Sequence, residues 1–580
     1  MSKSSAEYYI LSSDFQSATL KLLMKKFFKS QYYVHLVLLC SWLIIGIWLR
    51  FTNLESKPPW SDEWATLVFS LGNSFRTIPL NEVISLDTLL SPLRVDVTRT
   101  MKDTVSNLLT ESTHPPLYFV LNHWWLQLTG EHNGLVSLWW GRCFSSLWGV
   151  AAIPGMFALG YLWFRSLIAA HVAALLMAVS PFGIYLAQEA RHYTLAILFI
   201  IASLACLAIA IKNIKHSKMG IVYLTTWIVV NILGVATHYF FALALVAETL
   251  VLVSFWYRDI IREKNSWLSR YWQRIYLAII GTVVGCLPWL YIWRNIPDNQ
   301  LTSWVYQDNS WLKFYEPIGR LLLWLITQIA LLPVEGVAEK IAIASGIVIL
   351  VTLGWLFPYF VRGCRKLKQQ EDTKVAILII ERFLLCAIAL ILIVTYTIGA
   401  DLTLSSRFQF FYFPGWLLFL SGISSYIWRY NHKIVIILVV LGICGSLSIN
   451  HNFAFQKVER PDLVVPVMVE AYSKIPVIIA IQHHTHGQTG EMMSLGWQFQ
   501  KLIEQKKIAW QPQFLLSHQK VTVSDNSFLN DNINSIQNPY QLWLVNFSST
   551  PDLTSSSCKI DENDWRRATG YKYRLYTCNL

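Results

Sequence analysis

Charge is scarce in this chain. Only 14% of its 580 residues are Asp, Glu, Lys or Arg, while 54% are apolar and the mean hydropathy is +0.41. A soluble enzyme carries about 25% charged residues, so the composition excludes the soluble class and leaves a polytopic membrane protein. Nucleotide-phosphate signatures are also missing: neither GxGxxG nor GxxxxGKS/T occurs, which removes the usual support for a nucleotide site. No small-residue cleavage site follows the first apolar run, Val34 to Leu49, and the long segment before it marks the run as an anchor and not a removable signal. Cysteine is sparse in polar sequence. Seven of the nine (Cys40, Cys143, Cys206, Cys286, Cys364, Cys386 and Cys444) lie in or beside apolar runs, as small apolar fillers. Only Cys558 and Cys578 sit in the polar carboxyl-terminal region, where they can pair if it is extracytoplasmic. His483, His484 and His486 form a triplet with no cysteine or carboxylate nearby to complete a metal set.

What is present is a series of apolar runs between Val34 and Ile449, each long enough for a hydrocarbon core of about 30 Å. The net charge of +12 is gathered into tracts between runs, at Lys21–Lys29, Lys212–Lys218, Arg258–Lys264, Arg362–Lys368 and Arg429–Lys433. Such tracts mark cytoplasmic loops. None is interleaved with stacking aromatics on a soluble domain, so nucleic acid is not an expected partner. Placing every basic loop inside gives eleven spans, near 33–50, 142–164, 166–182, 193–211, 221–238, 240–256, 274–292, 341–361, 375–399, 409–427 and 433–450, with the amino terminus cytoplasmic and the carboxyl terminus outside. Two shorter stretches, Pro116 to Leu128 and Leu321 to Leu332, fit as helices lying in the outer interface. The expected fold is therefore a polytopic all-α membrane protein of about eleven transmembrane helices. Residues 1–32 form a cytoplasmic segment, 33–450 a membrane domain with a large outer loop over 51–141, and 451–580 a small extracytoplasmic α/β domain. In that last region Val477–Ile481, Phe514–Leu516 and Gln541–Val545 read as strands, with helices near 491–507 and 563–568.

This topology gathers polar residues on one face. Asp62 and Glu63 follow the first span in the helix-like run SDEWATLVFSLG, where a carboxylate accepts a proton, joins a divalent cation, or simply caps an interfacial helix. Gln188, Glu189 and Arg191 fall at the outer end of the third span, and together with the acidic pair they can form a polar pocket. His114 precedes paired prolines that restrict its backbone, which can fix its ring relative to the bilayer for contact with phosphate or acceptor, or simply shape the loop. Arg142, His238 and Arg407 add cationic or hydrogen-bonding groups at outer helix ends, the kind of donors that a phosphate needs.

In order along the chain stand Ser61-Asp62-Glu63-Trp64-Ala65-Thr66, His114-Pro115-Pro116-Leu117-Tyr118, Gly141-Arg142-Cys143-Phe144-Ser145-Ser146, Pro181 with Gln188-Glu189-Ala190-Arg191-His192-Tyr193, Thr237-His238-Tyr239 and Ser406-Arg407-Phe408. This succession resembles the GT-C superfamily of integral-membrane glycosyltransferases, in particular the protein O-mannosyltransferase and aminoarabinose-transferase-like group (glycosyltransferase family 39-like), over roughly residues 33–430. The resemblance implies a hexosyl- or pentosyltransferase using a polyprenyl-phosphate-linked sugar, with a protein, a lipid or an envelope glycan as acceptor. It maps the catalytic carboxylate onto Asp62 and the second acidic position onto Glu189. Glu63, His114, Arg142, Gln188, Arg191, His238, Tyr239 and Arg407 become substrate-binding candidates. Two departures matter: the second acidic position is a glutamate, which leaves a divalent cation (Mg, Mn or Zn) at Glu189 open, and His114 stands where aminoarabinose-type enzymes have lysine, so donor identity does not carry over. Two other classes stay in view. A transporter or flippase of lipid-linked glycan requires a continuous series of ionisable groups through the membrane, and a non-catalytic envelope scaffold requires outer carboxylates that do not converge.

Overall fold

The computed structural model describes residues 33–129, 131–132, 134–213, 220–262, 267, 269–293, 304–306, 314–518, 536, 538–551, 553, 557–561 and 564–579. The amino-terminal segment 1–32 with its basic tract, most of the Lys212–Lys218 tract and most of the loop Trp293–Trp311 lie outside the described residues.

Among the described residues, seven helices are long and apolar enough to cross a membrane: Tyr33–Phe51, Leu138–Phe164, Tyr193–Lys212, Phe241–Ile261, Glu339–Gln369, Glu371–Ile398 and His432–Asn450. The pair Leu167–Val179 and Pro181–Ala187, bent by 54°, makes an eighth if it counts as one span. The chain is thus a multi-pass membrane protein, but the expected eleven spans are corrected to seven or eight. The apolar runs outlast the helices they contain. The 409–427 run becomes a 3-10 turn, Ser406–Phe411, before a 16-residue helix Phe413–Trp428 that starts at a proline. The 221–238 run ends in a 17-residue helix because His238 is extended. Arg270–Trp293 opens on Arg270, Gln273 and Arg274.

The bend at 180 has a visible cause. Ser180 is extended, its hydroxyl caps the amide of Gly183, and Pro181 at the first helical position has no N–H to donate backwards. Carbonyls at the end of Leu167–Val179 therefore lack intrahelical donors. Buried Arg50 supplies them, donating from Nη2 to Met177 (2.8 Å) and from Nη1 to Ala178 (3.1 Å).

Above one end of the bundle, the segment between the first helix and Leu138 folds into short helices, including Ser61–Ser70, Leu86–Leu90, Met101–Glu111 and Leu117–Thr129. The last covers the helix expected over Pro116–Leu128, and Glu316–Thr327 overlaps the one expected from Leu321. The carboxyl-terminal region forms an open sheet in the order Val83–Ile84, Gln513–His518, Val477–His483, Tyr540–Val545, Tyr571–Cys578, Cys558–Ile560, with Arg566–Ala568 also on Tyr571–Cys578. Its three central strands are parallel, and Val477–His483 and Tyr540–Val545 are buried at every residue, as near-continuous apolar parallel strands are. The edge strand Val83–Ile84 comes from the first loop and pairs antiparallel with Gln513–His518. Loop and carboxyl-terminal region thus share one core, in which Trp64, Leu67, Leu89 and Tyr118 meet Val464, Met492 and Phe514.

Two carboxyl-terminal expectations resolve differently. Cys558 and Cys578 are joined in a disulfide. The helix expected near 563–568 is instead the strand Arg566–Ala568, which turns back through Gly570 at φ +82° into Tyr571–Cys578, a hairpin that needs a residue free to adopt positive φ.

Candidate functional site

Ser61–Ser70 carries two adjacent carboxylates in its first turn, where the helix dipole favours negative charge. Successive side chains on a helix point about 100° apart, so the two face different surroundings. Trp60, at the N-cap, makes no side-chain cap bond. The cap is supplied from across the chain: the Glu459 carboxylate accepts from the Ser61 amide (3.1 Å) and from its hydroxyl (2.5 Å). Glu459 also accepts from Ser494, and Trp64 Nε1 donates to that same Ser494 hydroxyl. Helix His486–Glu504 approaches so closely that a Cβ at Gly490 would lie 2.9 Å from Ser61 Cα, so only glycine fits there.

Glu63 is fully enclosed. Its two oxygens take a bidentate fork from Arg142, Nε and Nη2 each at 2.8 Å. The Ala190 amide donates to Oε1 (2.9 Å), and Lys457 Nζ lies 3.2 Å from Oε2. Arg142 spends its remaining donors on the carbonyls of Leu54 and Lys57. Burial raises the Glu63 pKa, but Arg142 and Lys457 outweigh it and hold the carboxyl at about 2. Lys457 Nζ also contacts Glu189 Oε1 at 2.6 Å. Gln188 donates to the Thr52 carbonyl (3.0 Å) and to Asn450 Oδ1 (2.8 Å), tying the ends of the first and last membrane helices together. Glu63, Arg142, Gln188 and Glu189 are therefore all sealed inside the frame.

Helix Leu138–Phe164 reads the Gln188–Tyr193 turn along one face. Ser145 Oγ accepts from the Arg191 amide (3.1 Å) and donates to its carbonyl (2.9 Å), while Ser146 donates to the Ala187 carbonyl. That turn aims Arg191 back at the acidic helix. Arg191 Nη1 donates to the Asp62 carbonyl (2.9 Å) and to Thr66 Oγ1 (3.0 Å), and Nη2 lies 3.3 Å from Asp62 Oδ2. Arg407, from the 3-10 turn, brings Nη2 to 3.5 Å from that same Oδ2 while its guanidinium stacks over Trp60 at 4.5 Å.

Asp62 is thus a carboxylate between two guanidiniums, with its side chain 33% exposed. Burial pushes its pKa up, yet Arg191, Arg407, His114 and His486 together bring it below the ordinary value. It is ionised at neutral pH. His114 Nε2 lies 3.2 Å from Arg191 Nη2, and its Nδ1 pairs with Ser112 Oγ at 2.9 Å. Burial and then Arg191 hold His114 down at about 3, so its ring is neutral. Behind it the ring of His192 packs 5.3 Å from His114 and 4.6 Å from His238, which in turn abuts Phe410. His238 Nδ1 accepts from the Phe240 amide. Tyr239 lies apart from this wall, against Trp289.

A divalent cation at Glu189 fails on the donor set. One oxygen is occupied by Lys457, and a second buried amine, Lys57, held by burial at a pKa of about 7, senses the Glu189 charge. Among the described residues no group of three or more His, Cys, Asp or Glu side chains is arranged to hold a metal. These cations compete with a metal and do not support one.

Sequence reasoning missed Lys457, Glu459, Trp60 and His486. The first two follow the last apolar run as the charged pair in Gln-Lys-Val-Glu-Arg-Pro, which was their only signal.

No family model and no curated protein matches the chain. Among solved structures it is similar to ArnT from Cupriavidus metallidurans in the apo state (11% identity, TM-score 0.46) and bound to undecaprenyl phosphate (12%, 0.47), each alignment covering 95% of this chain and 98% of the other. It is also similar to the Archaeoglobus fulgidus oligosaccharyltransferase in the apo form, at 10% identity and TM-score 0.47, with 88% of this chain and 69% of that one covered. TM-scores below 0.5 carry no functional weight, so function is argued from the chain's own residues.

Proposed function

We propose that the chain is a glycosyltransferase moving a sugar from a polyprenyl-phosphate-linked donor to an extracytoplasmic acceptor, whether protein, lipid or envelope glycan. Two things support this reading: the ordered motifs that resemble the GT-C superfamily, and the convergence of three of them on one carboxylate. The carrying observation is Asp62 Oδ2 within 3.5 Å of both Arg191 and Arg407. In the proposed orientation the basic tracts are cytoplasmic, so this end of the bundle faces outward.

A lipid phosphate carries the charge that both guanidiniums now share with Asp62. When phosphate oxygens engage Arg191 and Arg407, Asp62 loses the partners that depress its basicity. Its pKa then rises toward the range of a working base. The acceptor oxygen attacks the anomeric carbon, its proton passes to Asp62, and the bond from that carbon to the phosphate oxygen breaks with inversion. The two arginines take up the charge of the departing phosphate. Neutral His114, with Nδ1 on Ser112 and Nε2 on Arg191, orients Arg191, while His238 backs it through His192. Glu63, Arg142, Gln188 and Glu189 hold the frame.

The test is acceptor-dependent release of polyprenyl phosphate from a radiolabelled polyprenyl-phosphate sugar by the chain in liposomes, with protein, lipid and glycan acceptors offered in turn. Transfer to at least one class is expected. Absence of transfer to all three, from hexosyl and pentosyl donors alike, refutes the reading.

A further inference from the structure

A second polar site lies away from these residues, inside the bundle. A cavity of about 280 Å³ opens between the helices Ile221–Thr237, Phe241–Tyr257 and Arg270–Trp293, lined by Trp227, Asn231, Glu248, Thr282, Cys286 and Trp289 among others. Val246 and Val283, also in its wall, are 44% and 55% exposed on the flank of the bundle, so its mouth faces hydrocarbon. Val235 and Ala242 carry its upper end to within one helical turn of His238–Tyr239. The volume sits just below the roughly 300–1,000 Å³ of small-molecule sites, enough for the end of a chain and not for a whole lipid.

Its chemistry is set by one side chain. Glu248 stands near the middle of a membrane helix and is buried; its Oε2 lies 2.8 Å from Ser203 Oγ, and among the described residues its Oε1 has no hydrogen-bond partner. The same Ser203 hydroxyl is 3.0 Å from Asn231 Oδ1, and Asn231 Nδ2 donates to Thr282 Oγ1. One hydroxyl has one proton and here meets two oxygen acceptors, so the network is completed when Glu248 Oε2 carries a proton and donates it to Ser203 Oγ, which donates in turn to Asn231 Oδ1 and leaves Oε1 as the carbonyl acceptor. Among the described residues no lysine, arginine or histidine lines the cavity. An unpaired carboxylate in hydrocarbon is heavily penalised, which again favours the acid. Ionisable groups at such depth are seldom retained for packing alone, and the buried Oε1 is an acceptor waiting for a donor.

We propose that this cavity is a second ligand site, in which the Glu248 carboxylic acid accepts a hydrogen bond from the hydroxyl of a lipid-soluble alcohol whose apolar chain enters from the bilayer. The site stands independently of sugar transfer. A neutral alcohol satisfies the free acceptor without bringing a charge into the membrane, and the apolar wall receives the adjoining methylenes.

The acid also gives the test. Dicyclohexylcarbodiimide partitions into bilayers and reacts with protonated carboxyl groups: the acid O–H adds across one C=N bond, the proton going to nitrogen and the oxygen to the central carbon. The acyl group then migrates to nitrogen, leaving a stable N-acylurea with no leaving group. The full chain in liposomes at neutral pH is treated with this reagent, and adducts are located by peptide mass spectrometry with 1-hexadecanol or hexadecane added at equal mole fraction. The expected result is modification of Glu248, slowed about tenfold by hexadecanol and far less by hexadecane, with no adduct on that peptide in Glu248→Gln. Ser203→Ala should still be labelled. Failure to label Glu248 in the wild-type chain overturns the proposal, because the carboxyl is then ionised or closed to lipid. Equal protection by alcohol and alkane also overturns it, since the cavity is then an apolar cleft without a hydroxyl-binding function. Both decisive readings are made on the unaltered chain, so a folding defect in a variant does not affect them.

Discussion

Asp62 and Glu63 are neighbours in sequence and belong to opposite kinds of site. Around Glu63, two cations, two carboxylates and a backbone amide are packed without solvent: Arg142 and Lys457 share Glu63, Lys457 reaches Glu189, and Ala190 closes the last lone pair. Around Asp62, two guanidiniums converge on a carboxylate that is still a third exposed. The sealed region spends its charges on fixing backbone, holding the 54–58 segment and the 188–193 turn in place. The open region has its charges directed at a surface that a ligand can reach. A residue's chemistry therefore does not tell its role; its residual exposure and the identity of its partners do.

That contrast is breakable. The largest effect is expected from Asp62→Asn, which keeps shape and removes basicity. Transfer should fall by about 10²–10⁴-fold, the usual worth of a general base, while the midpoint of thermal unfolding stays close to that of the parent. A matching loss of stability, followed by light scattering or fluorescence on the same sample, would place Asp62 with the frame instead.

Arg142→Met tests the sealed side. It leaves Glu63 buried with half its partners gone, and breaking a buried pair in this way costs about 3–5 kcal/mol. The expected outcome is a chain that unfolds at markedly lower temperature or fails to survive detergent extraction. A stable Arg142→Met protein with a selective defect in substrate use would remove the division between the two regions.

Smaller losses are expected from Arg191→Ala and Arg407→Ala. Each deletes one charge-assisted contact worth about 1.5–3 kcal/mol, so apparent donor affinity should weaken by about 10–100-fold in a kinetic titration. Arg407→Lys should recover only part, because an ammonium does not stack over Trp60 as a guanidinium does.

The smallest effect concerns Glu459, which joins the two regions by capping the acidic helix. Burial, then Glu491, pushes its carboxyl up to about 8. The folded chain therefore holds a proton that the unfolded chain releases near the ordinary glutamate value. The sign follows: this group's stabilising share is full below about pH 4.5 and is lost as pH rises through about 8. Thermal unfolding across that window should show a decline in wild type that Glu459→Gln flattens. An unchanged slope would mean that the cap does not titrate there.

Much of the open site was legible in the sequence, and little of the sealed one. Asp62, His114, Arg191 and Arg407 were named from motif order, and the structure brings them together. The motif could not show that Glu63 and Arg142 would lock onto each other, because a carboxylate beside a catalytic candidate looks like a second ligand until burial is known. Lys457 and Glu459 were invisible for a different reason. Their partners stand 268 and 398 positions away, and no periodicity links a segment after the last membrane helix to one after the first. The span count erred because hydropathy does not register the Ser180-Pro181 break or the turn before Phe413, where capping and proline geometry end helices inside apolar sequence. The Arg566–Ala568 strand was hidden in the same way, by a hairpin whose only local sign is Gly570.

In the proposed mechanism Asp62 occupies, through Arg191 and Arg407, the place that a lipid phosphate takes during turnover. Equilibrium binding of polyprenyl phosphate to the wild-type, Asp62→Asn, Arg191→Ala and Arg407→Ala chains in detergent tests it most directly. Asp62→Asn should bind at least as tightly as wild type, because the competing carboxylate charge is gone, while both arginine variants bind more weakly. Loss of binding in Asp62→Asn, with the arginine variants unaffected, would contradict it.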